Sequence, residues 1–232
     1  MLAQRKNSDV IRQLLDLAGK RVVDVGCGSG GVVRLMTREG AHVTGIECNP
    51  RQLAKAGAAE KAGDERYLEG WGEALPLEDD SVDIVVYFNS LHHVPVDKHD
   101  QALLEAARVL VPDGLLYITE PVAAGAHFEM MQPIDNETHV RAEALKAIGR
   151  ATKTLFDQVH EETYTYNVID TSFETFAEEM TRIDASRDEL FRTRDAELRQ
   201  RFYDYGVKQP DGRYAFEQPM RVNLLARKPA RQ

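Results

Sequence analysis

The first half of this 232-residue sequence predicts an α/β fold, a doubly wound sheet with right-handed crossovers. Three observations carry that reading. The stretch RVVDVG is a dense apolar run, as expected of a parallel strand covered on both faces. It leads into the glycine-rich GCGSGG, a turn that lets a helix begin directly after a strand. Strand and helix patterns then alternate five times before Pro121.

The elements follow in order. Ser8 is placed to cap a short helix with Ile11, Leu14, Leu15 and Leu17 at roughly helical spacing, and Gly19 closes it. After RVVDVG a helix is expected over 30–39, then the strand HVTGIE ending at Glu47. A helix follows from Pro50, with Asn49 as its cap and proline in its first turn. A short strand near 67–69 precedes the loop GWGEALPLEDDS and the strand VDIVVYFN. A helix over 98–110, a PDG turn at 112–114 and the strand LLYITE, ending at Glu120, complete this half.

Past Pro121 the texture changes to loop and then helix over 122–153. HEETYTYNV alternates with Tyr164, Tyr166 and Val168 on one face, and Met220, Val222, Leu224 and Ala226 alternate likewise, so both read as strands. Between them lie helical patterns at 173–183 and 187–203. The second pairs acid with base at helical spacing, Asp188 with Arg192 and Asp195 with Arg199, which marks a solvated face.

Composition narrows the function classes. A hydrophobic share of 43% with 29% charged residues suits a soluble domain, and no run approaches the roughly 20 apolar residues of a membrane span. The first nine residues lack the apolar block of a signal peptide, so the cytoplasm is the expected compartment. A net charge of −9 opposes a phosphate-neutralising surface and hence a nucleic-acid partner. Cys27 and Cys48 offer neither a disulfide framework nor metal spacing; buried free thiols are expected, and no metal.

The glycines admit two patterns: positions 26, 28 and 31 fit a dinucleotide fingerprint, and 26, 28 and 30 a tighter G-x-G-x-G preceded by an acid. Asp24 separates them. A carboxylate at that strand end suits a cationic group and repels a pyrophosphate. Glu47, at the end of the second strand, suits the two hydroxyls of a ribose under either pattern.

VVDVGCGSGG, VTGIECNP, GEALPLEDDSVDIVVYFNSLHHV and ALLEAARVLVPDGLLYITEP together resemble, in order and spacing, the motifs of class I S-adenosylmethionine-dependent methyltransferases. The likeness is greatest to the small-molecule branch that includes the ubiquinone/menaquinone-biosynthesis methyltransferases, and it covers about residues 21–121. The resemblance implies a Rossmann-like seven-stranded sheet, mostly parallel with an antiparallel last strand, carrying helical lid insertions after strand 5 and between strands 6 and 7. We expect one domain over 1–232, with a cofactor-binding core at 1–121 and lids and last strands at 122–232.

The resemblance also implies that S-adenosylmethionine is the cofactor and S-adenosylhomocysteine its product. Its methionine end falls to the loop of Gly26, Cys27, Gly28 and Gly30, its ammonium to Asp24, and its ribose to Glu47 beside Cys48. Trp71, Gly72 and Glu73 border the adenine, and Asn89 and Leu91 the sulfonium side. The family usually has an acidic and then a small residue where this chain has Trp71 and Gly72. Trp71 either stacks on the adenine or packs under its loop.

Methyl transfer needs an acceptor held in line more than a covalent intermediate. His92 or His93, just past the fourth strand, can serve as a base, or can cap that strand structurally. Glu120 is a second candidate base, its alternative being a salt bridge to a lid arginine. His127, Phe128, Met130 and Met131 suit an apolar or planar small-molecule acceptor, and Tyr164, Tyr166 and Arg221 are weaker candidates beside a sheet role. A homodimer contact on the charged helix is a further option. Two other classes compete: a nicotinamide-dependent oxidoreductase, opposed by Asp24, and a non-catalytic cofactor-binding or interaction module of the same fold.

Overall fold

A computed structural model describes residues 2–229, so the expected span of 1–232 runs past it at both ends. Its sheet has the strand order β3-β2-β1-β4-β5-β8-β6, with a two-residue β7 paired antiparallel to β8. These are β1 (Arg21–Val25), β2 (His42–Glu47), β3 (Arg66–Glu69), β4 (Val82–Phe88), β5 (Leu110–Pro121), β6 (Phe156–Asp170), β7 (Val207–Lys208) and β8 (Tyr214–Arg227). The first five are parallel and the last strands antiparallel, and the two-residue β7 brings the sheet to eight strands where seven with one antiparallel last strand were expected.

The chain divides into two compact units. The larger comprises Lys6–Glu120, Val140–Glu162 and the residues from Arg221 onward. It contains α1 (Asn7–Leu14), α2 (Gly31–Arg38), α3 (Pro50–Ala58), α4 (His99–Val109) and most of α6 (Thr138–Thr154). Its core joins Val23, Val85, Leu116 and Ile118 of the sheet to Leu103 and Ala106 of α4 and Ala147 and Ile148 of α6. Because β1 pairs in parallel with β2 on one side and β4 on the other, the order in which strands are added across the sheet reverses there, which opens a crevice beyond the carboxyl ends of β1 and β4.

Local chemistry explains two helix starts beside the glycine loop and β2. Asn49 caps α3 by accepting from the Arg51 N–H at 2.9 Å, with Pro50 supplying a pre-set φ at the first position. Gly30 ends the glycine loop in the left-handed region, φ +79°, before α2 begins. Ser8 does not cap α1: the helix starts at Asn7 and the Ser8 hydroxyl turns to Asp9 instead. Leu15 and Leu17 lie beyond the helix yet are buried, so packing rather than helical periodicity explains that apolar run. In β8 the expected alternation fails from Val222 to Leu225, all buried, because this strand lies between β5 and β6 with both faces covered.

The smaller unit contains Pro121–His139 and Thr163–Met220, with α5 (Ala126–Met131), α7 (Phe173–Ile183) and α8 (Asp188–Tyr205). Its own core is aromatic: Phe173, Phe176, Phe191, Phe202 and Phe216 pack together, Phe173 meeting Phe202 edge-on at 5.9 Å. Phe128 and Met130, expected to face an acceptor, are buried here, Met130 among the aromatic rings. On α8 the pair Asp195–Arg199 forms, whereas Arg192 takes Glu189 one turn back in place of Asp188. Among the described residues no helix is long and apolar enough to cross a membrane.

Leu103 has no exposed surface and Leu104 beside it is 47% exposed. Urea unfolding should therefore show Leu103→Ala costing about 3 kcal/mol and Leu104→Ala less than about 1 kcal/mol.

Candidate functional site

The crevice is built where strand ladders end and backbone amides need new partners. At the end of β1, Gly26 N and Cys27 N both donate to Ile46 O, at 2.8 and 3.0 Å. Gly26, Gly28 and Gly30 hold φ of +73°, +56° and +79°, which bend the loop out of the strand plane. Gly26 is required twice over, since a Cβ there would lie 2.7 Å from Ser90 Cβ. A Cβ on Gly28 meets nothing within 4 Å, so that glycine faces open space.

Glu47 ties this loop to the turn after β2. It is buried, and its two oxygens accept from Gly28 N at 2.8 Å and Asn49 N at 2.7 Å. Asp24 is the contrast. It is buried behind the loop, and its Oδ1 has no hydrogen-bond partner. Burial first, and then the charge of Glu47, push its carboxyl up to about 7.

On the other side, Glu120 at the end of β5 organises the turn after β4. Its Oε1 accepts from Ser90 N at 3.2 Å and Leu91 N at 3.0 Å, and its Oε2 meets His92 Nδ1. Ser90 completes the turn by donating its hydroxyl to Val25 O at 2.6 Å, which joins the β4 turn to β1. His92 and Glu120 are both nearly sealed from solvent. The His92 and His93 rings lie 4.0 Å apart, but His93 is exposed.

Between these turns lies a cavity of about 430 Å³. Gly26, Gly28, Glu47 and Cys48 line it on the β1–β2 side, Trp71, Gly72 and Glu73 at the loop after β3, and Asn89, Ser90 and His93 after β4. Two other depressions, at the amino ends of β1–β4 and beside the α4–α6 surface, contain none of these groups.

Residues 23–118 match the family described as the methyltransferase domain. That segment carries both turns and the whole cavity wall. Over residues 23–118, then, the chain is similar to methyltransferases. Over 133 residues, 53% of this chain and 48% of the relative, the sequence is 37% identical to 27-O-demethylrifamycin SV methyltransferase of Amycolatopsis mediterranei. It is 36% identical over 109 residues, 47% and 42% of the two chains, to an uncharacterized methyltransferase of Mycobacterium ulcerans. The chain thus spans about half the length of the curated relatives it matches. The fold extends further: an S-adenosylmethionine-dependent methyltransferase from Mesorhizobium loti aligns over 95% of this chain and 96% of its own, with TM-score 0.55 and 19% identity. The [4+2]-cyclase SpnF aligns over 96% and 80%, with TM-score 0.62 and 25% identity.

Of the residues singled out from sequence, this segment brings Gly26, Gly28, Glu47, Cys48, Trp71, Gly72, Glu73, Asn89 and His93 to one cavity. Asp24, Cys27, Gly30, Leu91, His92 and Glu120 stand outside its wall. Trp71 is 52% exposed, so it does not pack under its loop. Both thiols are free, and Cys48 is exposed rather than buried because it stands just past β2, where the crevice opens. Val25, Asn49, Gln52, Tyr87, Val94 and Pro95 also line the cavity and were not singled out as site residues. For Gln52 a signal existed, since it lies one turn from the Asn49 cap and so faces back toward the end of β2.

Replacing Glu120 by Ala strands two buried amides and the His92 ring without an acceptor. Denaturant unfolding should register a loss of about 3 kcal/mol.

Proposed function

We propose that this protein transfers the methyl group of S-adenosylmethionine to a small organic acceptor. The observation that carries the reading is the orphaned Asp24 carboxylate beneath a glycine loop whose Gly28 faces open space in the cavity. A cationic ligand held at that loop would favour the ionised form that burial opposes. The residues fit the cofactor: Asp24 would bias the loop toward its ammonium, Glu47 would accept ribose hydroxyls with lone pairs left over from Gly28 and Asn49, and Trp71 would stack on the adenine. When bound, the cofactor supplies a methyl group already activated by its sulfonium.

The chain's own residues then position and shield. Glu120 fixes Ser90 and Leu91 by their amides, so the wall after β4 stays in place. With the Glu120 carboxylate accepting at Nδ1, the His92 proton is held on that nitrogen. Buried and engaged, His92 is a positioning residue. His93 is the histidine on the cavity wall and the one placed to take a proton from an acceptor hydroxyl, amine or enol. His93→Ala should lower turnover about 10²-fold with unchanged S-adenosylhomocysteine affinity, whereas His92→Ala should lower thermal stability as well.

Calorimetric titration with S-adenosylhomocysteine tests the cofactor assignment. Wild type should bind; Gly28→Trp should abolish binding by filling the cavity, and Glu47→Ala should weaken it at least ten-fold. No binding by wild type, or unchanged affinity in both variants, overturns the assignment. Label from methyl-labelled S-adenosylmethionine appearing in a panel acceptor tests the transfer itself.

Asp24 adds a pH signature. Its folded pKa, about 7, lies above the unfolded 3.8, so the folded state binds the proton more tightly. Its contribution to stability therefore declines as pH rises from about 4 to 7 and stays low above. Asp24→Asn should raise Tm by roughly 5 °C at pH 8 and little at pH 4. Binding a cation needs the ionised form, so wild-type affinity should fall between pH 8 and 6, and Asp24→Asn should bind more weakly and lose that slope.

A further inference from the structure

The methyltransferase reading leaves one partly buried cation unexplained. Arg221 is the first residue of the larger unit's last segment, on β8 next to β5. At the end of that strand pair Val122 N donates to Pro219 O at 2.8 Å. Extending this antiparallel register by two residues sets Arg221 across from Glu120. Glu120 in turn holds the amide of Ser90, a wall residue of the cavity.

The Arg221 guanidinium is partly buried and its donors are unspent. Its Nε is sealed from solvent without an acceptor, and among the described residues no carboxylate lies within ion-pair distance of it. The acids that act on it through space are Glu161 and Glu120. Both are committed elsewhere: Glu120 to two amides and His92, Glu161 to the Asn223 amide at 2.5 Å. A half-buried guanidinium left without an acceptor costs free energy, which a planar anion offering two oxygens recovers.

We propose that Arg221 is a specificity-determining residue that pairs with a carboxylate on the methyl acceptor, next to the turn fixed by Glu120. This rests on the methyltransferase reading and gives its substrate a class, small organic acids. Two oxygens on one planar group match the guanidinium fork, and the anion is drawn to the one cation of this neighbourhood that has no partner among the described residues.

The test uses benzoate as probe and benzamide as its neutral, equally shaped control. Each is titrated into the whole protein, with and without saturating S-adenosylhomocysteine, and followed by ¹H–¹⁵N NMR of arginine Nε–H signals. Benzoate should bind saturably and shift the Arg221 signal, and benzamide should bind at least ten-fold more weakly. Arg221→Met should weaken benzoate at least ten-fold while leaving S-adenosylhomocysteine affinity within two-fold. Glu161→Gln removes a competing negative charge from an exposed position and should tighten benzoate several-fold. No saturable benzoate binding, equal benzamide binding, or benzoate affinity unchanged in Arg221→Met overturns the proposal. If Arg221→Met does not fold, unchanged benzoate affinity in Glu161→Gln overturns it. Absence of S-adenosylhomocysteine binding alone would instead overturn the methyltransferase reading.

Discussion

Where β1, β2 and β4 end, their backbone amides leave the ladder, and the site depends on two buried carboxylates that take them up. Glu47 accepts from Gly28 and Asn49; Glu120 accepts from Ser90 and Leu91. An unpaired buried amide is costly, so each acid does more than decorate the crevice: it sets the path of the chain that forms the wall. The Ser90 hydroxyl on Val25 O then joins the two sides. Gly26 must be glycine because that junction leaves no room for a Cβ.

Asp24 differs from these two in having one oxygen with no partner, and the difference carries functional meaning. A folded protein that keeps an unsatisfied buried carboxylate gives up stability, and a ligand that completes it is one reason to keep it. Fold alone would not make this point, since the likeness in fold extends to a protein described as a [4+2]-cyclase. The chemistry has to be argued from the site, from an acid under a glycine loop, an acid at the end of β2, and an exposed tryptophan at the rim.

Local chemistry was legible in the sequence and long-range packing was not. The glycine loop, the Asn49 cap and the acids ending β1, β2 and β5 stand out because strand ends, turns and caps each demand particular residue types within a few positions. Ser8 misled because a capping residue was available one position inside the actual helix start. Phe128 and Met130 were ambiguous because a thioether beside an aromatic ring suits a pocket and a core equally; here both are buried, Met130 in the core of the smaller unit. Tyr87 and Val94 reach the cavity through the meeting of separate turns, which no local pattern announces.

The same distinction separates the two adjacent histidines. Sequence places His92 and His93 together and gives each the same claim to act as a base. Burial separates them, for Glu120 engages the His92 Nδ1 behind the wall, while His93, one residue on in a 3₁₀ turn, lines the cavity. A base must reach the proton it removes, so access decides before basicity does. What His92 contributes is rigidity: held by a carboxylate that also holds the Ser90 and Leu91 amides, it turns a short loop into a fixed surface. Under the proposed methyl transfer, positioning would then depend on a residue that does not line the cavity.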